Sequence, residues 1–225
     1  MVNATTPSEG FEPAGLRERK KQRTRQTIAR AALELFDRDG FHETTIPQIA
    51  AAADVSPRTV SAYFPAKEDL VFPDQEDSFA RLATRLRARS GEETTADALR
   101  DWIGAELPRW AERDAEMRMQ RRVVDTDDGL KAVEQRYRAL GEELIAAAIA
   151  EDLGASPDAL EPRMAAAATF AIFGIVGGEH EGKGQIADEH GCIDGEPVLL
   201  HLLDRALRFV DAGIRSLQGD APVAG

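Results

Sequence analysis

Apolar residues recur at three- and four-residue spacing along most of the chain, and nowhere does the two-residue alternation of a half-buried strand appear, so the pattern predicts an all-α protein. From Arg17 to Asp39 one face carries Ile28, Ala31, Ala32, Leu35 and Phe36, and Asp39-Gly40 supplies the stop. A second helix of about two turns starts after Thr44-Thr45, with Ile46, Ile49, Ala50 and Ala53 on one face and Pro47 in its first turn. Asp54-Val55-Ser56 interrupts the pattern. Ser56 and Pro57 then form the cap and first residue of a third helix reaching about Tyr63, and Lys67-Glu68-Asp69-Leu70 reads as the start of a fourth. Further helices are predicted over 74–89, 96–113 (with Pro108 admitting a kink or break), 115–124, 130–152, 159–176 and 197–217, and the Gly- and charge-rich stretch 177–196 reads as loop.

Composition narrows the class. The 225 residues are 43% hydrophobic and only 6% aromatic, which suits helices with Ala, Leu, Ile and Val interiors in one or two domains. A single cysteine, Cys192, permits no internal disulfide, and no apolar run is long enough to span a membrane; both fit a cytoplasmic protein. A formal net charge of -12 argues against nucleic acid until its distribution is read. Arg17, Arg19, Lys20, Lys21, Arg23, Arg25 and Arg30 face only Glu18 over residues 17–30, whereas the acids accumulate beyond residue 70. Residues 1–15 read as a disordered tail, 16–72 as a basic amino-terminal helical domain and 73–225 as a second helical domain.

Two short helices joined by a three-residue turn, behind a longer one, make a helix-turn-helix unit. Val55 and Val60 are expected to point into a small core with Ile49, Leu35 and Phe36, leaving Arg58, Thr59, Ser61 and Ala62 outward, where short polar side chains suit a major groove. The run from Thr44 through Ile46-Pro47, Asp54-Val55-Ser56-Pro57-Arg58-Thr59-Val60 and Tyr63-Phe64 to Lys67-Glu68-Asp69-Leu70 resembles the DNA-binding segment of TetR-family bacterial transcriptional regulators. The resemblance is close over about residues 20–72. Arg58 and Ser61 depart from it, since many members carry Gly and Tyr there, so no operator sequence can be borrowed. Ser56, Pro57, Arg58, Thr59 and Ser61 are assigned to the recognition surface, with Arg58 as the base-reading fork. The resemblance implies that Thr45, Tyr63 and Lys67 contact phosphates, and Arg23 and Arg25 are placed to add to that grip.

It also implies that the C-terminal helices enclose an effector pocket, for which Trp102, Trp110, Met117, Arg118, Arg121, Phe170 and Phe173 are the candidates. The bland alternative is that the aromatic residues and Met117 are core and that Arg118 and Arg121 point to solvent. Two decoys lie nearby. Gly177 to Lys183 nearly spells a phosphate-binding loop, but position 184 is Gly, Glu179 and Glu181 sit inside it, and no β–α alternation surrounds it. His180, His190 and Cys192 lack the spacing of a compact metal site. No catalytic constellation, metal or cofactor is therefore expected. The expectation is a homodimeric repressor that binds a palindromic DNA operator and is released by a small-molecule effector. One recognition helix reads few base pairs, so two half-sites about 34–36 Å apart are required. The helices over 159–176 and 197–217 are the candidate dimer interface, with Phe170, Phe173, Leu200, Leu203, Leu207 and Val210 supplying burial. An architectural DNA-binding protein would lack operator preference, and a nucleotide hydrolase would depend on Lys183.

Overall fold

The computed structural model describes residues 14–179, 192–193 and 196–219. Among these the helices are α1 (Ala14–Asp39), α2 (Ile46–Ala52), α3 (Pro57–Tyr63), α4 (Gln75–Arg87), α5 (Thr95–Glu112), α6 (Asp114–Asp125), α7 (Asp128–Leu153), α8 (Leu160–Glu179) and α9 (Val198–Gly219). The fold is all-α, apart from a minimal antiparallel ribbon in which β1 (Cys192–Ile193) pairs with β2 (Glu196–Pro197). That ribbon and the extension of α8 to Glu179 occupy part of the stretch expected to be loop; of the expected tail over 1–15, Ala14 and Gly15 already belong to α1, while residues 1–13, like 180–191, lie outside the described residues.

The chain forms two compact units: residues 1–73 with 115–127, and residues 74–114 with 128–225. Residues 115–127, counted with the C-terminal domain in the sequence expectation, thus group with the amino-terminal helices.

In the first unit, α1 ends where Gly40 takes a left-handed φ of 98°, and its N–H donates to Phe36 O at 3.0 Å. Thr44, buried, returns a hydroxyl bond to Gly40 O at 2.8 Å. Gln48 Oε1 then accepts from both the N–H and the hydroxyl of Thr45, at 2.7 and 2.8 Å, closing the start of α2. Between α2 and α3, Asp54 adopts φ 53°, a conformation Asp tolerates better than most side chains, and Val55 N reaches back to Ala50 O at 2.9 Å. Ile28, Ala32, Leu33, Phe36, Ile49, Val60 and Phe64 are buried in this unit. The helix expected to start at Lys67 is only a single 3-10 turn over Glu68–Leu70: Pro73 disfavours helical backbone at Phe72, and α4 starts beyond it.

The second unit is built from α4, α5, α7, α8 and α9 around Leu82, Leu86, Leu99, Ile103, Ile145, Ile149, Ala166, Leu207, Val210 and Ile214. Leu207 and Val210 are therefore committed to this core and are not available to cover another subunit, as expected of them from the sequence. Helix α5 continues through Pro108, where a kink or break was admissible. Arg89 binds the Ala148 carbonyl at 3.2 Å and Glu151 at 2.8 Å, and Asp152 accepts from Thr95 N at 2.7 Å, so the α4–α5 connection is tied to the end of α7.

Candidate nucleic-acid interface

Helix α3 is short, and its start is set locally. Ser56 Oγ accepts from Thr59 N at 3.0 Å and lies 2.7 Å from Thr59 Oγ1, and Pro57 occupies the first helical position without an N–H to satisfy. Val60 is turned fully inward, which leaves Pro57, Arg58, Ser61 and Ala62 exposed and Thr59 and Tyr63 half-buried. Arg58 has no hydrogen-bond or ion-pair partner among the described residues, so its guanidinium fork is open to an external acceptor. The hydroxyls of Ser56 and Thr59, in contrast, already satisfy the helix start.

Two of the expected phosphate ligands have other employment. Arg25 Nη1 donates to Tyr63 O at 2.7 Å, and its Nε and Nη2 donate to Pro73 O at 3.1 and 2.9 Å, while the guanidinium lies 4.3 Å over the Phe64 ring. It ties α1 to the carboxyl end of α3 instead of extending from the surface. Lys67 Nζ donates to Phe41 O and faces the Phe41 and Phe36 rings at 4.5 and 5.6 Å. Partial burial pushes the Lys67 ammonium below its ordinary pKa, with nearby Glu68, Glu43 and Asp127 opposing the shift. Arg23 and Thr45, in contrast, are exposed. Phe41, the ring and carbonyl that receive Lys67, carries no motif that singles it out in the sequence.

Sequence reasoning also missed how α6 is held in this unit. Arg122 donates from Nε and Nη2 to both oxygens of Asp37 on α1, at 2.8 and 2.6 Å, and this bond holds the Asp37 carboxyl below its usual pKa. His42 Nε2 lies 2.7 Å from Asp127 Oδ2. The arginine neighbours expected near an effector, Arg118 and Arg121, are exposed, as is Met117, and all three fall in the first unit. The remaining described candidates are in the second. Trp102 and Trp110 are half-buried and meet edge to face at 5.8 Å, and Phe170 is half-buried against Gly141, where a Cβ would come within 2.3 Å of its ring. The Phe173 side chain lies outside the described residues. An open depression of about 500 Å³ is lined by Asp77, Ala80, Arg81, Thr84, Arg85 and Ala88 of the α4 region, and none of the seven candidates borders it.

In the second unit, Glu106 of α5 is only 2% exposed, yet it is a carboxylate. Arg81 meets it with two bonds, 2.6 and 2.8 Å, and Arg109 adds a third at 3.0 Å. The signal in the sequence is positional: Glu106 lies on the helix face that also carries Trp102 and Trp110. Among the described residues no group of His, Cys, Asp and Glu side chains is arranged to hold a metal ion, and no helix is long and apolar enough to cross a membrane.

Residues 28–72 match the family model for the bacterial regulatory proteins of the tetR family. The HTH-type transcriptional regulator TcmR of Streptomyces glaucescens is 48% identical over 67 residues, which are 29% of this chain and 30% of TcmR. The chain is thus aligned with less than a third of the length of that relative. Two solved structures extend the likeness to the fold. One is the triclosan complex of SmeT, the repressor of a Stenotrophomonas maltophilia multidrug efflux pump, at 21% identity and a TM-score of 0.56 over 85% of this chain and 91% of that one. The other is Thermus thermophilus FadR, a TetR-family transcriptional repressor in complex with lauroyl-CoA, at 22% identity and a TM-score of 0.55 over 89% and 99%. Residues 28–72 thus match the N-terminal domain of the tetR family of bacterial regulatory proteins, and the two solved structures extend the likeness of the chain to the fold alone.

Proposed function

We propose that the protein is a ligand-responsive transcriptional regulator, a homodimeric repressor that binds a palindromic operator and loosens its hold when a small-molecule effector binds. The observation that carries this reading is the outward face of α3, where an unpaired Arg58 stands among small exposed side chains in a tetR-family domain. An arginine fork can bond O6 and N7 of guanine together, and Pro57, Ser61 and Ala62 are small enough to let the helix approach base edges. Thr45 and Tyr63 sit on either side of it in the chain and serve the backbone, joined by exposed Arg23, while Ser56 and Thr59 hold the helix start in shape. Arg25 and Lys67 contribute through their charge and through the geometry they maintain.

A second copy of the chain is the partner that the second unit best accommodates. Leu160 and Met164 on α8 are 66% and 60% exposed and continue as a stripe through exposed Ala167, Ala168 and Ala171; on α9, Phe209 is 72% exposed beside Ala212. Large apolar side chains standing in solvent on two packed helices support self-association there. The effector part of the reading is supported by SmeT and FadR, whose complexes hold triclosan and lauroyl-CoA. The function needs no catalytic group or cofactor, and a repressor of this kind works in the cytoplasm. Selection of bound sequences from random duplex DNA tests the whole: a palindrome with half-sites one helical turn or a multiple apart is expected, and recovery of no shared motif sinks the reading.

A further inference from the structure

Two buried side-chain polar atoms among the described residues lack a hydrogen-bond partner, Thr95 Oγ1 and Trp102 Nε1, and both lie on α5. A threonine hydroxyl both donates and accepts and can rotate to suit; an indole N–H only donates and points one way. A buried donor left without an acceptor is costly and rare in folded proteins, so Trp102 asks for an explanation.

Its neighbours supply one. One turn along α5, both oxygens of buried Glu106 are taken, Oε1 by Arg81 Nε and Arg109 Nη1 and Oε2 by Arg81 Nη2. One turn further stands Trp110, half-buried, with its ring against that of Trp102. Trp102, Glu106, Arg109 and Trp110 share one face of the helix. Glu106 is fully used and Asp77 also acts on Arg81, so the pairs largely cancel in charge, and the unused bonding capacity of the cluster is that of donors, on Arg109 and Trp102. Pro108 has no N–H to give the Gly104 carbonyl, so the turn that carries Arg109 and Trp110 is held by one backbone bond fewer than the rest of the helix.

We propose that this face of α5 is a ligand site and that it takes a flat aromatic anion. An acceptor oxygen of the ligand receives Trp102 Nε1–H, its ring lies against the two indoles, and its negative charge faces Arg109. An organic cation fits poorly, because Glu106 has no oxygen to spare and two guanidinium groups would confront it. The ion pair of Arg81 with Glu106 joins α4 to α5, and Arg113 with Asp74 joins the end of α5 to the residue before α4, so a ligand that displaces the last turns of α5 acts on α4. Only the naming of this ligand as the effector rests on the regulator reading; binding itself does not.

The chain has two tryptophans, both in the site, so their emission reports on it without added labels. The full chain is titrated with 2-naphthoate and anthraquinone-2-carboxylate, and with 2-naphthylmethylammonium as a cation of matching shape, by calorimetry and tryptophan emission. At least one anion is expected to bind saturably, and the cation about tenfold or more weaker. W102F should weaken the anion about tenfold, the worth of one hydrogen bond, while W110F, which removes an indole but not the unpartnered donor, changes it less than about threefold. Failure of both anions to bind, a cation bound as tightly, or unchanged anion affinity in a W102F protein of normal thermal midpoint each overturns the proposal. Should W102F not fold, R109Q replaces it: about threefold weaker binding of the carboxylate, with neutral 2-naphthamide unaffected, is the supporting result, and equal loss for both overturns the site. Operator binding measured without ligand keeps the two readings apart. Its loss with naphthoate binding intact removes the regulator, and the converse removes only this site.

Discussion

The two cations that brace α3 in the first unit are bound to backbone carbonyls, Arg25 to those of Tyr63 and Pro73 and Lys67 to that of Phe41, whereas the arginines of α4 and α5 in the second are bound to carboxylates: Arg81 to Glu106, Arg85 to Glu93 and Asp101, and Arg100 to Asp97 and Asp204. A carbonyl satisfies the donor but leaves the full positive charge in place, while a carboxylate cancels it. Along α1, where the cations of residues 17–30 face only Glu18, the first unit thus stays locally positive even with Arg25 immobilised, which is what a polyanion requires. The second gains directional links between helices and gives up its potential. The net charge of the whole chain conceals this division.

The contrast can be broken from either side. The largest effect is expected for Glu106→Ala, which strands Arg81 and Arg109 beside an interior that held their counter-ion; about 3–5 kcal/mol of stability should be lost in denaturant unfolding, and a loss under about 1 would show the pair to be dispensable. Arg25→Ala should cost about 2–3 kcal/mol, and Arg25→Lys should restore little of it, since one ammonium cannot reach both carbonyls and stack on Phe64 as the planar fork does. Full rescue by lysine would mean that charge alone matters there. Arg58→Ala is expected to leave the unfolding midpoint alone and to weaken operator binding by about 1–3 kcal/mol with relaxed choice at one base pair; equal loss on all duplexes would make Arg58 a phosphate contact. The exposed pair of Asp37 with Arg122 is worth least, about 0.2–1 kcal/mol by double-mutant cycle. The acid response follows from the same carboxylates. Hydrogen bonds from Arg122, Thr94 and Arg208 respectively hold Asp37, Asp97 and Asp204 below their ordinary pKa, so their contribution is present above that range and fades as pH falls through the lowered values. Unfolding midpoints flat from about pH 7 to 5 and falling below about pH 4 are expected, and Asp37→Asn should soften that fall.

What was legible in the chain was what nearest neighbours decide. Ser56-Pro57 marks the start of α3, Gly40 the end of α1, and the three-and-four spacing places the remaining helices to within a few residues, because caps and periodicity act over one turn. The errors come from longer reach. Lys67 looked like the opening of a helix, but the constraint that Pro73 puts on Phe72 stops it after one 3-10 turn. Arg25 and Lys67 looked like surface cations, and only the return of Tyr63, Pro73 and Phe41 to their side gives them partners. Leu207 and Val210 have the spacing of an interface, yet the same spacing serves a core, and pattern alone cannot choose between them. Glu106 is a further case: a carboxylate on an aromatic face is an anomaly that can be noticed in sequence, although its arginine from α4 is supplied by folding.

The grouping of residues 115–127 with 1–73 has a consequence for how the protein comes apart. The backbone passes from one compact unit to the other at 73/74, at 114/115 and at 127/128, so neither unit is a single uninterrupted piece of chain. A protease that nicks the loop at Ser90 or Gly91 leaves α6 on the far fragment but in one unit with α1, and α4 on the near fragment but bound to α5 and α7 through Arg81–Glu106 and Arg89–Glu151, so the two fragments should travel together until both units unfold.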